Sequence, residues 1–528
     1  MSRRLTQISP LIMSLISASV IAGIENKETI QSTTSDYVLG ECSINAMPAQ
    51  SNVRYTSAER NETHCVVSGV IEKEINFQVR LPHDWNGMFA QSGGGGFVGS
   101  VVDYIDEVAL GPGYATAGTD TGHRAHALES SWAAQNQHRE ERLENFGGRA
   151  VHLTTQTAKV VIESYYEQES ERNLFFGCSR GGGQGLIAAQ RYPTDYDVIV
   201  AGSPAYDWSV RLGGHHSAIA QKMFPNSGQL DKAIIGTKEI ELVNSLIAEQ
   251  CKNADGLDNS GLIEPWKCEV DFKALQCDEE GETCLSSDQI EVFELVYNGF
   301  YDSKGNPLAE GFYFGAKADM IHKWLAGGLK VNDMDEFQSG VRIDPDLKAP
   351  VTPNFGYAFG HGIMKNFIFD GEYNSASYDF DNLRQDGSHL GKYLDAVNPD
   401  LRAFRDNGGK LIMWNGLQDV AISPASTVSY YKDVIKHDPT AANDVALFLL
   451  PGVDHCAGGV GPWLVDWMGE GNQWADTNVA PREVVAHWVD PEKGIDGNRK
   501  VCAYPEVAMW DGKGDPRSAN SFRCESPN

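Results

Sequence analysis

The feature that most narrows the fold is a serine flanked by glycines, Gly177-Cys178-Ser179-Arg180-Gly181. Upstream, Asn173-Leu-Phe-Phe-Gly reads as a short buried strand, and downstream Leu186-Ile-Ala-Ala-Gln-Arg reads as a helix. A chain that turns so sharply from strand to helix needs glycine on both sides, because a side chain there would clash. The turn lifts the serine oxygen above the end of a sheet. It also aims the next backbone N–H, that of Arg180, at the same point. G-x-S-x-G arises readily by chance in a chain with 54 glycines, so a plain glycine turn is the competing interpretation. The surrounding pattern decides between them.

That pattern alternates. Residues 149–170 carry a helical rhythm from Ala150 through Val160, Val161 and Ile162 to Tyr166, and Asp197-Val-Ile-Val-Ala-Gly is another buried-type strand. Earlier, Cys65-Val-Val-Ser-Gly-Val-Ile, Ile75-Asn-Phe-Gln-Val-Arg-Leu and Met88-Phe-Ala-Gln read as strands. Strand–helix–strand alternation predicts an α/β protein, here an α/β-hydrolase core with a mainly parallel sheet. The pattern pauses over 209–396, which holds four cysteines and aromatic clusters at Phe300-Tyr301 and Phe312-Tyr-Phe, and resumes at Gly409-Lys-Leu-Ile-Met-Trp-Asn-Gly. With 528 residues there is room for a full core and a large insertion. The expected organisation is a catalytic domain built from 40–208 and 397–528, with 209–396 inserted as a lid domain.

A serine is a weak nucleophile without a base, and the base needs an acid to orient it. In hydrolases of this architecture they follow in the order Ser, Asp, His. Asp419 lies in Gly416-Leu-Gln-Asp419-Val, just past the strand Leu411-Ile-Met-Trp. His455 lies in Pro451-Gly-Val-Asp-His455-Cys-Ala-Gly-Gly, just past the apolar run Val445-Ala-Leu-Phe-Leu-Leu. With 14 histidines, a structural or exposed role is the ordinary alternative, and position selects this one. Asp454 is a rival acid, but adjacent residues rarely point the same way. The expected catalytic residues are Ser179, Asp419 and His455. Arg180 supplies one oxyanion N–H, and the run Gly93–Gly96, with Gly95 chosen, supplies the other. That run lacks the Lys and Ser/Thr of a phosphate-binding loop.

The N-terminus reads as a signal peptide over 1–23: Arg3 and Arg4, then an apolar stretch from Leu11 to Ala22, then polar sequence from Glu25. No later stretch is long and apolar enough to span a bilayer. Export to the periplasm or outside the cell makes the ten cysteines candidates for disulfides. Local pairs are Cys42 with Cys65, Cys251 with Cys268, Cys277 with Cys284, and Cys502 with Cys524. Cys178 and Cys456 remain, one beside the serine and one beside the histidine. They form either a bridge or two buried thiols. Zinc lacks its usual spacings. The net charge of −29 speaks against nucleic acid and against anionic membrane surfaces. It is also what plain solubility demands. The segment Asp255-Gly-Leu-Asp-Asn-Ser-Gly-Leu-Ile, between Cys251 and Cys268, is similar to an oxygen-rich calcium loop. Asp255 and Asn259 would give side-chain oxygens, and Leu257 and Gly261 carbonyls. A polar turn closed by a disulfide is the alternative. No organic cofactor is expected, and no oligomeric state is indicated.

Taken together these residues resemble the tannase and feruloyl esterase family over nearly all of 42–528. The hallmark is Cys178-Ser179, Asp419 and His455-Cys456. Further matching stretches are Leu81-Pro-His-Asp-Trp-Asn-Gly, Gly93-Gly-Gly-Gly-Phe-Val-Gly, Gly118-Thr-Asp-Thr-Gly-His123, Gln190-Arg-Tyr-Pro-Thr-Asp-Tyr-Asp and Gly512-Lys-Gly-Asp. The resemblance implies five disulfides in the pairing above and a structural calcium in the lid. It also implies a small aromatic ester as substrate, of gallic, ferulic or a related hydroxycinnamic acid, with a branch resembling mono(hydroxyethyl) terephthalate hydrolases. The chain departs from the family where Lys252 and Asn259 replace aspartates of the calcium loop. It departs again at Arg180, where a small or acidic residue is usual. Two other readings stand beside this one: a general carboxylesterase, and a calcium-stabilised binder of plant phenolics, which would have no need of all three catalytic residues.

Overall fold

The computed structural model describes residues 39–102, 104–134, 137–226, 229–252, 257, 261–277, 284–327, 329 and 346–526. The expected signal peptide at 1–23 and two of the expected calcium ligands, Asp255 and Asn259, lie outside the described residues.

Seven strands come first: β1 (Val53–Arg60), β2 (His64–Ile71), β3 (Ile75–Pro82), β4 (Met88–Ser92), β5 (Ala115–Thr119), β6 (Arg172–Cys178) and β7 (Val198–Gly202). Two short strands, β8 (Phe300–Tyr301) and β9 (Pro307–Ala309), pair only with each other. Then β10 (Lys410–Gly416) and β11 (Val445–Leu450) complete a nine-stranded sheet of order β1-β2-β3-β5-β4-β6-β7-β10-β11. From β1 to β5 the neighbours run antiparallel. From β5 across β4, β6, β7 and β10 to β11 they run parallel. This is the mainly parallel sheet of an α/β hydrolase.

Composition explains the division. Parallel strands here are covered on both faces, and β7 (VIVAG) and β11 (VALFLL) are buried at every residue. β3 instead alternates, with Ile75, Phe77, Val79 and Leu81 buried and Asn76 exposed. The helix Ala150–Tyr166 covers one face with Val151, Thr154, Thr155, Ala158, Val161, Ile162 and Tyr165, a three-and-four spacing. Each fully buried branched side chain contributes about 1.5–3 kcal/mol. The helix stops at Glu167, which is left-handed at φ 55°.

Between β7 and its parallel neighbour β10 the chain makes one long excursion. Its two ends meet: Ala396 N–H donates to Tyr206 O at 2.6 Å. Beside them, Trp208 N–H and the Ser209 hydroxyl donate to the two oxygens of Asp395 at 2.8 and 2.9 Å. The excursion has its own helices, among them His215–Met223, Thr237–Gln250, Ser287–Tyr297 and Phe355–Gly362. Its apolar side chains, Ile219, Phe312, Trp324 and Phe359 among them, share one core cluster with Phe97 and Phe146. After β11 come two antiparallel pairs that the sequence pattern had not suggested: β12 (Glu483–Asp490) with β13 (Gly494–Cys502), and β14 (Val507–Trp510) with β15 (Phe522–Glu525). Five disulfides form, Cys42–Cys65, Cys178–Cys456, Cys251–Cys268, Cys277–Cys284 and Cys502–Cys524. Among the described residues no helix is long and apolar enough to cross a membrane.

Candidate active site

Ser179 stands between the end of β6 and the helix Arg180–Arg191, at φ 62° and ψ −122°. For a residue with a Cβ this is a strained conformation, costing roughly 1–3 kcal/mol. Three backbone bonds hold it. Ser179 N–H donates to Gly202 O at 3.0 Å, while Ser179 O accepts from Ala205 N–H at 2.9 Å and Gly183 N–H at 3.1 Å. A Cβ on Gly177 would overlap the backbone of Gly181, so the flanking glycines are demanded by contact with each other. The Ser179 side chain caps nothing and keeps part of its surface exposed.

Asp419 lies in the turn after β10 and is 1% exposed. One of its oxygens, Oδ1, accepts the backbone N–H groups of Ala421 and Ile422 at 2.8 and 2.9 Å. The other, Oδ2, lies 2.8 Å from His455 Nδ1, with Asn415 Nδ2 a distant donor at 3.4 Å. A carboxylate at that distance holds the proton on Nδ1 and leaves Nε2 as the basic nitrogen. Asp454, the rival acid, does not reach the ring. Burial raises its carboxyl to about 7, with Lys317 working the other way. Its Oδ1 finds no donor among the described residues. The Cys178–Cys456 bridge, with Cα atoms 5.9 Å apart, joins the residue before Ser179 to the residue after His455.

The glycine run passes over the start of the serine helix. Gly93 N–H donates to Phe176 O at 3.1 Å, Gly94 N–H to Gln184 Oε1 at 3.0 Å, and Gly181 N–H to Gly94 O at 2.8 Å. The amides of Gly93 and Gly94 are thus committed, whereas those of Gly95 and Arg180 have no acceptor among the described residues. The Arg180 side chain is buried, and burial lowers its guanidinium to about 10.

Two residues of the excursion reach this site, and neither stood out in the sequence. His216 donates from Nε2 to Ala421 O at 2.8 Å, behind the turn that holds Asp419. Burial pushes its imidazole down, and Nδ1 has no partner among the described residues. Trp324 and the His455 ring meet edge to face, centroids 5.6 Å apart, and Trp324 stacks on Phe359, which touches Phe97. His216 sits in His215-His216, a pair with no motif around it. Only its place on the helix His215–Met223 brings it to the acid turn. A small void between Tyr206, Leu212, His215, Phe312 and Ile422 lies behind that turn and touches neither Ser179 nor His455.

Of the expected calcium ligands, Leu257 and Gly261 are described. Gly261 has φ 78° and packs against Gln418 and Gly452. An all-oxygen donor set of one carboxylate, one amide and two carbonyls suits calcium by its chemistry. Among the described residues no group of three or more His, Cys, Asp or Glu could hold a metal.

The family profile described as Tannase and feruloyl esterase matches residues 61–525. Mono(2-hydroxyethyl) terephthalate hydrolase of Piscinibacter sakaiensis is 28% identical, over 89% of this chain and 86% of that protein. A probable feruloyl esterase of Arthroderma benhamiae is also 28% identical, over 86% and 83%. Among solved structures, feruloyl esterase B from Aspergillus oryzae aligns with a TM-score of 0.77 at 22% identity, covering 92% of this chain and 99% of that one. Tannin acyl hydrolase from Aspergillus niger aligns at 0.67 and 21%, covering 98% and 95%. These two likenesses show a shared fold.

Proposed function

Because the chain belongs to the tannase and feruloyl esterase family and is a carboxylic ester hydrolase, we propose that it cleaves esters of aromatic acids through an acyl-enzyme on Ser179. One observation carries the mechanism: an Asp419–His455 pair, its acid saturated by two backbone amides, covalently tethered beside a serine at a strand–helix elbow. His455 Nε2 takes the Ser179 proton as the oxygen attacks the ester carbonyl. Asp419 stabilises the imidazolium that forms. The N–H groups of Arg180 and Gly95 receive the oxyanion. The alcohol leaves with the proton from His455, and water then releases the acid by the same steps.

The aromatic preference rests on the relatives named above and on the wall of Trp324, Phe359 and Phe97 that reaches His455. Residues 209–396 act as a lid over the site. A structural calcium would be held by Asp255, Leu257, Asn259 and Gly261, the last of which packs against Gln418. The leader at 1–23 and the five disulfides support export to the periplasm or the extracellular space. The test is a rate panel of methyl ferulate, methyl gallate, mono(hydroxyethyl) terephthalate and p-nitrophenyl butyrate, with Ser179→Ala as blank. Preference for one aromatic ester, lost in the variant, supports the proposal. Turnover of the butyrate alone would make the protein a general carboxylesterase, and turnover by the variant would remove Ser179.

A further inference from the structure

The side chain of Arg180 does something the triad does not use. It turns back beneath the glycine run and is 2% exposed. Nη1 donates to Val98 O at 3.1 Å, and the guanidinium carbon lies 4.5 Å over the Phe146 ring. Nε and Nη2 have no acceptor among the described residues. A Cβ on Gly94 would overlap Nη2, so the cation lies directly against the backbone of the loop. Val98 N–H in turn donates to Gly95 O at 3.1 Å. The guanidinium therefore holds one end of the short turn whose other end carries the second oxyanion amide.

Among the described residues no carboxylate pairs with this cation, and burying a charge unpaired costs several kcal/mol. Among the described residues the groups acting on it are the Tyr104 phenol and then Asp120, whose oxygens are occupied by Asn76 and Gly122 and whose carboxyl burial raises to about 7. The described residues thus neutralise the cation poorly. An ester carbonyl is neutral, whereas the tetrahedral intermediate carries a full negative charge. A fixed positive charge in a dry site stabilises the second far more than the first.

We propose that the Arg180 guanidinium is the positive charge behind the oxyanion hole, a positioning residue that acts through the Gly93–Gly96 loop. This rests on the ester hydrolysis proposed above. A single residue then serves the oxyanion twice, by its own amide and by the charge and hydrogen bond that set the opposite amide.

The test compares Arg180→Lys, which keeps the charge, with Arg180→Gln, which keeps a donor and loses the charge. Both side chains are long and polar. Folding is read from the melting temperature. We expect Arg180→Gln to lower kcat roughly 10- to 100-fold with KM within about twofold. Inhibition by phenylboronic acid, which becomes a tetrahedral anion on Ser179, should weaken by the same factor. Arg180→Lys should stay within about fivefold of the parent in both. Equal kcat in the two variants would overturn the proposal, as would a loss confined to KM with boronate inhibition unchanged. If Arg180→Gln does not fold, Arg180→Lys decides: a loss above about 100-fold overturns it. Failure of the underlying reading is separate, since it would show as an inactive parent or an active Ser179→Ala.

Discussion

Replacing Asp419 by asparagine tests the site without changing its shape, and the structure dictates how the new amide must lie. Asp419 Oδ1 accepts two backbone N–H groups at 2.8 and 2.9 Å. The asparagine oxygen has to take that place. Turned the other way, the amide would set its NH2 against two buried N–H donors and leave both unsatisfied, at about 1–3 kcal/mol each. The single long contact from Asn415, at 3.4 Å, is too weak to reverse this. With the oxygen fixed, the NH2 faces His455 Nδ1. The ring then accepts there and carries its proton on Nε2, the nitrogen that takes the Ser179 proton in the proposed mechanism. This wrong-tautomer effect lowers kcat about 10⁴-fold in other triads, or about 5.4 kcal/mol of barrier. The measurement is kcat on methyl ferulate at pH 7, with the melting temperature as a check on folding. A loss under about tenfold in a folded Asp419→Asn, or a larger loss in Asp454→Asn, would refute the assignment of Asp419 as orienting acid.

Other consequences are as direct. His216→Leu removes the donor to Ala421 O and should lower kcat/KM about tenfold with a modest loss of stability, whereas His216→Gln recovers much of it; equal losses in the two would remove the hydrogen bond as cause. Cys178→Ser with Cys456→Ser opens a bridge spanning 278 residues, worth at most about 5 kcal/mol in chain entropy; thermal melting gives that part, and activity should fall further than stability because His455 loses its tether. Burial holds Asp454 protonated up to about 7 in the fold, far above its unfolded value, so its share of stability is present at low pH and is lost as pH rises toward 7. The melting temperature of Asp454→Asn relative to the parent should therefore rise from pH 5 to pH 8, and a flat difference would contradict the burial effect. Chelation with EDTA should lower the melting temperature if calcium occupies the 255–261 loop, with added calcium restoring it; an unchanged curve removes the metal.

The parallel half of the sheet was readable because doubly buried strands leave unbroken apolar runs, as at Phe175, Ile199 and Leu447. The three residues proposed for catalysis were picked out because each sits just beyond such a run, and the structure puts Ser179 after β6, Asp419 after β10 and His455 after β11. The C-terminal pairs β12–β13 and β14–β15 were not, since their strands are half-exposed and carry Lys500, Arg499 and Arg523 among apolar residues. His216 and the Arg180 side chain were invisible for another reason. Their importance depends on which backbone atoms lie beside them, Ala421 O and Val98 O, and those come from segments 205 and 82 residues away.

The two ends of the long excursion touch, through Ala396 N–H and Tyr206 O. A module entered and left at one point is, topologically, a cassette: it can be lengthened, shortened or exchanged without moving a strand of the sheet beneath. Residues inside it nevertheless brace the acid turn and face the base, through His216 and Trp324. Exchanging the cassette would therefore change more than the ligands admitted. On the proposed reading of this excursion as a lid and of Asp419 as the orienting acid, selectivity and catalytic competence are inherited as one unit, and a graft between relatives has to bring its own support for Asp419.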